Sequence, residues 1–216
     1  MEETFTFILE VIGTIACAIS GIRLAATKKF DWFGAYIVGL VTAIGGGTLR
    51  DVLLDIPVFW MQTWWYLGVT ALSLLTVIVF RSVLVSRDRI LFIFDCIGLA
   101  LFCVIGIHKT LAIHYPMWVA AVMGIITGAF GGVIRDILIN DEPLIFKKDI
   151  YATACLAGAL VYWILLAMGC SVMLQQIACA ATIIIIRFLA LKYNLSLPII
   201  NDPADPNEPI SRKKKS

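Results

Sequence analysis

The sequence predicts an all-α, polytopic membrane protein of seven transmembrane helices, built as two inverted three-helix repeats plus a seventh helix. Three observations predict it. The chain is 61% hydrophobic and 15% charged, where a soluble domain carries roughly 25% charged residues, and its mean hydropathy is +0.95. Its apolar runs are about 17–23 residues long and lack the period-2 alternation of an outer-membrane strand, so helices span the bilayer. Residues 10–56 also align on residues 95–141 without a gap.

The apolar runs place spans at 5–25, 33–56, 64–82, 90–108, 117–139, 150–168 and 171–190. The N-terminus, Met1-Glu2-Glu3, is acidic where a cleaved leader needs a basic start, so the first helix is expected to be retained. Phe30-Asp31-Trp32 and His114-Tyr115-Pro116 punctuate two loops, and Pro57 and Pro143 stop the second and fifth spans. Trp60, Trp64, Trp65 and Tyr66 cluster at the start of the third span, as an interfacial aromatic belt does. Only Gly169-Cys170-Ser171 separates the last two spans. A single transmembrane domain over 1–192 follows, with repeats over about 5–83 and 90–168, and 193–216 reads as a flexible, polar cytosolic tail.

Charge sets the orientation. Lys28, Lys29, Arg81, Arg87, Arg89, Lys147, Lys148, Lys192 and the basic tail fall on one side, and only Lys109 lies outside the helices on the other. The positive-inside rule puts the N-terminus outside and the C-terminus in the cytosol. Lys28, Lys29, Arg87, Arg89, Lys147 and Lys148 read as topology signals or as contacts to anionic lipid headgroups. The six cysteines are scattered through apolar runs without metal spacing and read as buried thiols. No Walker, GxSxG, HExxH or dinucleotide pattern is present, so no enzyme activity, cofactor or nucleic-acid partner is expected.

The repeat pairs Glu10 with Asp95, Gly21 with Gly106, Gly39 with Gly124, Thr42 with Thr127, Gly46-Gly47 with Gly131-Gly132, and Arg50-Asp51 with Arg135-Asp136. The second and fifth spans are three spans apart and so cross in opposite directions, the arrangement of many transport proteins. Gly39, Thr42, Gly46, Arg50 and Leu53 step by three and four residues and share one stripe of a helix, which such residues keep away from lipid.

Gly45, Gly46 and Gly47, followed by Thr48, Arg50 and Asp51, are a poor choice for a helix that only spans a bilayer. Each glycine weakens a helix by roughly 1 kcal/mol relative to alanine, and a charge at bilayer depth costs about 3 kcal/mol or more. Two readings stand. The glycines kink or break the spans, and freed carbonyls then line a wet cavity; or they let two helices pack closely. Arg50 and Arg135 either gate a pore or form a structural ion pair. Neighbours at i and i+1 do not face each other on a helix, so Arg50 is expected to pair across the repeat interface rather than with Asp51. Glu10 and Asp95 are placed at the entries of their spans, in a helix-capping or an ion-access role.

Two copies of a Gly-Gly-(Thr/Val)-(Leu/Ile)-Arg-Asp segment in a seven-span chain resemble the trimeric intracellular cation (TRIC) channel family, in its prokaryotic branch, over about residues 5–190. The resemblance implies a homotrimer in a prokaryotic inner membrane. It implies a pore in each subunit, built from kinked helices two and five, that conducts monovalent cations, K+ foremost and Na+ second. Phe130 stands where Gly45 does, which makes the two kinks unequal. The competing function is a secondary transporter of a small polar solute such as glycine, with an arginine holding the carboxylate. A third reading is a structural or lipid-binding membrane protein without transport.

Overall fold

The structure is a computed structural model and describes residues 2–85, 88–147 and 150–196. Arg87, Lys148 and tail residues 197–216 lie outside the described residues. The described residues form the helices α1 (Glu2–Thr27), α2 (Trp32–Leu53), α3 (Phe59–Gln62), α4 (Trp65–Val79), α5 (Arg81–Leu84), α6 (Asp88–Ala112), α7 (Met117–Leu138), a 3-10 turn (Leu144–Phe146), α8 (Ala152–Ala167) and α9 (Val172–Tyr193), joined by short loops.

Five of these, α1, α2, α6, α7 and α9, are long and apolar enough to cross a membrane. Helices α4 and α8 are apolar but only 15 and 16 residues long. They rise about 22–24 Å, short of a hydrocarbon core of about 30 Å. The predicted 64–82 helix is cut at Phe80, whose backbone leaves helical geometry (φ −99°, ψ 24°) before α5 resumes.

Helices α1, α2, α6 and α7 form the centre, with the broadest contacts between α6 and α7, α2 and α7, and α1 and α2. Apolar side chains fill it from two sides. Ala18, Ile22, Val38, Tyr66 and Ile105 belong to one core, and Leu99, Val104, Ala129, Tyr162 and Ile183 to the other. Helix α4 leans on α1, whereas α8 barely touches α6, and α9 packs against α6 instead.

Local geometry repeats 85 residues apart. Lys29 (φ 61°) matches His114 (φ 65°), and Asp55 (φ 53°) matches Asn140 (φ 56°). These residues hold the left-handed backbone that turns the chain out of a helix, a conformation that Asn and Asp tolerate best among non-glycine types. Ile56 N–H donates to Asp51 O (3.0 Å), and Asp141 N–H to Asp136 O (2.8 Å). Asp51 Oδ2 accepts from Phe59 N–H (2.9 Å), and Asp136 Oδ2 from Leu144 N–H (3.1 Å), so each aspartate anchors the segment after its helix. At the start of α2, Asp31 Oδ1 accepts from Gly34 N–H (2.6 Å). Asp31→Ala removes that cap and is expected to lower stability by about 1 kcal/mol, read as a fall in the melting temperature of the detergent-solubilised protein.

Neither α2 nor α7 is interrupted at its glycines, which corrects the outright break offered by the first reading. The physical reason is the crossing of the two helices. A Cβ on Gly46 would collide with the Thr127 carbonyl oxygen, and one on Gly131 with the Thr42 carbonyl oxygen. The absent side chains let two backbones touch, and the helical hydrogen bonds survive. Thr42 and Thr127 donate to Val38 O and Met123 O one turn back (both 2.6 Å), so their hydroxyls are satisfied within the helix.

Candidate functional site

Each copy of the repeat builds a buried ionic cluster around its arginine. In the first, Arg50 sits on the last turn of α2. Its Nε and Nη2 donate to Asp51 Oδ1 at 2.8 and 2.6 Å. Both residues are buried, at 2% and 1% exposure. In the second, Arg135 Nε donates to Asp136 Oδ1 (2.8 Å), and its Nη1 donates to Asp95 Oδ1 and Ser20 Oγ, both at 2.7 Å. Pairing with the adjacent aspartate overturns the expectation from helix-side geometry. A long guanidinium stem near a helix end can reach a neighbour that a mid-helix side chain cannot, and a buried charge must be paired. Of the two arginines, Arg135 is the one that reaches across the repeat interface, to Ser20 of α1.

Glu10 and Asp95 do not cap helices. Helices α1 and α6 begin at Glu2 and Asp88, so both acids lie beyond the first turn, where the end charge of a helix has faded. Glu10 is ion-paired with Lys109 and accepts from Tyr66 Oη at 3.1 Å. Asp95 pairs with Arg135 at 2.7 Å and lies 3.6 Å from Arg187 Nη2. Each cluster therefore holds two acids and two cations: Glu10, Asp51, Arg50 and Lys109; Asp95, Asp136, Arg135 and Arg187. A lone arginine would repel a cation, but these are neutralised beside it.

The clusters differ in access. Glu10, Arg50, Asp51, Phe59, Trp65, Tyr66 and Lys109 border an open vestibule of about 420 Å³. It narrows to a gap of about 10 Å³ beside Ala43, Gly47, Phe102 and Thr127, about the space one water needs. The gap shares Glu10, Arg50, Phe59, Tyr66 and Lys109 with the vestibule and borders Thr127 at the crossing of α2 and α7. The second cluster is as buried as Arg50 and Asp51, with Arg135 at 0% exposure, Asp136 at 4% and Asp95 at 5%, and the cavity of about 170 Å³ beside it is bordered by Arg187 rather than by its acids. Arg187 roofs it, lying 4.9 Å from the Phe92 ring centroid and 4.8 Å from that of Tyr151.

Gly47 leaves room for Phe59, and Gly132 for the Tyr151 hydroxyl, while Gly45 faces Ile134. Thr48 Oγ1 donates to Ile44 O (2.8 Å) and accepts from Trp60 Nε1 (3.0 Å), away from the crossing. Lys28, Lys29, Arg89 and Lys147 are exposed at the surface, and Lys28 is tied to Asp141 at 2.6 Å.

Sequence reading missed Tyr66, Phe59, Lys109, Ser20, Tyr151 and Arg187. One signal was available, because Tyr66 and Tyr151 are also 85 residues apart and extend the repeat past its gapless stretch. Lys109, placed by the sequence in a loop, lies in the last turn of α6.

Comparison with known proteins agrees with this architecture. Residues 7–82 and 92–167 match the family model described as Glycine transporter, its two copies falling on the two halves. The chain is 38% identical over 200 residues to a UPF0126 membrane protein of Vibrio cholerae, covering 92% of this chain and 84% of the relative. It is 38% identical over 198 residues to the UPF0126 inner membrane protein YadS of Escherichia coli, covering 88% and 93%. Among solved structures, it resembles the TRIC trimeric intracellular cation channel orthologue of Rhodobacter sphaeroides with a TM-score of 0.85 and 34% identity, covering 89% of this chain and 100% of that one. A second, from work on the structural basis for conductance through TRIC cation channels, gives a TM-score of 0.82 and 32% identity, covering 92% and 98%.

The fold and its paired ionic clusters define an all-helical integral membrane protein built on an internal repeat. The chain belongs to the family whose model is described as Glycine transporter, and its relatives include the UPF0126 membrane proteins and the TRIC channel orthologue of Rhodobacter sphaeroides.

Proposed function

We propose that the chain is a K+-permeable monovalent cation channel, a homotrimer whose subunits each carry a pore along the crossing of α2 and α7. In this reading α1, α2, α4, α6, α7, α8 and α9 are the seven spans, the halves are inverted, the N-terminus is outside and the C-terminus is cytosolic. The observation that carries it is the vestibule running past Glu10 and a neutralised Arg50 to Thr127, where the two repeat copies touch. An acid at the mouth, arginines paired within the wall and hydroxyl and carbonyl oxygens at the crossing suit a weakly held monovalent cation. The gap at the crossing is water-sized, so conduction requires it to widen. The relatives' description as cation channels supports the same reading.

The purified protein in planar bilayers under asymmetric KCl is expected to give currents that reverse near the K+ equilibrium potential. Silent bilayers, or reversal near the Cl− potential, would sink the reading. A secondary transporter of glycine is the second reading, favoured by the family model's description and by a vestibule that offers both cations and acids to a zwitterion. Saturable glycine counterflow in proteoliposomes without channel-sized currents would select it.

A further inference from the structure

We propose that Glu10, Phe59 and Tyr66 form a binding site for a small monovalent cation of the primary-ammonium class at the mouth of the vestibule, and that the Lys109 ammonium is its tethered occupant. Lys109 Nζ is ion-paired with Glu10 Oε1 and lies 5.4 Å from the Phe59 ring centroid. A carboxylate on one side and an aromatic face on the other are the two groups that recognise an ammonium. The site is prebuilt. Tyr66 holds the second carboxylate oxygen of Glu10 at 3.1 Å. Its ring meets Phe59 edge-on with centroids 4.7 Å apart and stacks on Trp65 at 3.6 Å.

Other charges nearby leave room for an exchange. Arg50 and Asp51 from α2 neutralise each other. Glu3 and His108 border a neighbouring hollow that also reaches Glu10 and Lys109. When Lys109 swings away, Glu10 is left as an unpaired anion facing an aromatic wall and an open cavity. Lys109 is able to swing, because its side chain is 31% exposed and rides on a flexible four-carbon stem. The matched acid Asp95 has no such freedom, since its partner Arg135 is fully enclosed. Lys109 is thus a built-in competitor: a free cation reaches Glu10 only by displacing it.

The consequence for current rests on the channel reading, but the site does not, and the test separates them. Melting of the purified full-length protein is followed against ethylammonium chloride, with N-methyl-D-glucamine chloride at equal ionic strength as control. Removing a partly exposed competing ion pair shifts occupancy by about fivefold. Lys109→Met is therefore expected to be stabilised at about fivefold lower ethylammonium than the wild type, and Lys109→Met combined with Glu10→Gln is expected to lose the effect. Lys109→Gln serves as the second variant if the methionine substitution does not fold. In bilayers, ethylammonium on the vestibule side is expected to block the Lys109→Met current at similarly lower concentration. Equal ethylammonium sensitivity in the wild type and both Lys109 variants, or stabilisation that survives Glu10→Gln, overturns the site. Stabilisation without any K+ current upholds the site and rejects the channel; K+ current without stabilisation does the reverse.

Discussion

Arg135→Leu is expected to lower stability by about 3–5 kcal/mol, the loss seen when one partner of a buried ion pair is removed. Arg135 is at 0% exposure and supplies the hydrogen bonds to Asp95 Oδ1, Asp136 Oδ1 and Ser20 Oγ. Without it, Asp136 keeps only its bond from Leu144 N–H, and Asp95 keeps only Arg187 at 3.6 Å. Arg50→Leu is expected to lose less, because the vestibule borders Asp51 and lets water solvate the stranded carboxylate. Thermal melting in detergent checks the order. Adding Asp136→Asn to Arg135→Leu is expected to recover part of the loss, and equal losses at the two arginines would sink this account of access.

Gly131→Leu and Gly46→Leu are expected to abolish K+ current and to lower stability by about 1–3 kcal/mol or more, the range for overpacking a tight contact. Even a methyl group at either position would collide with a carbonyl oxygen of the opposite helix, and rigid backbone has no rotamer to give. Gly45 makes the contrast. A Cβ there comes close to the end of the Ile134 side chain, at 3.0 Å, and makes ordinary contact with Gly131 Cα and Val41 at 3.8 Å, and Phe130 already occupies the matching position in α7. Gly45→Ala is therefore expected to be neutral or stabilising, by up to about 1 kcal/mol of helix propensity. Melting and bilayer current measured on the three variants check this. A Gly45 variant as damaged as the Gly131 variant would show that the glycines act by bending the helix rather than by admitting its neighbour.

The sequence by itself determined a good deal. Hydropathy and run length are properties of the bilayer as solvent and need no tertiary partner to be read. The repeat is a property of the sequence alone, and it singles out Thr42 and Thr127, Gly46 and Gly131 and the two Arg-Asp pairs, though not which of them meet. What the glycines do was not legible, because a kink and a close crossing demand the same small residues, and only the approach of α7 to α2 separates them. Asp51 and Arg50 were misjudged for a related reason, since helix-wheel geometry describes where side chains leave the backbone and not where a long guanidinium ends. Lys109 and Arg187 were out of reach altogether. They complete the two clusters from α6 and α9, at positions the repeat does not match, and α9 reaches Asp95 because it takes the flank of α6 that α8 leaves bare. Which acid receives which counter-charge is a matter of distances across the fold, and in a buried site those distances decide whether a carboxylate is locked shut, as Asp95 is, or held open to exchange, as Glu10 is.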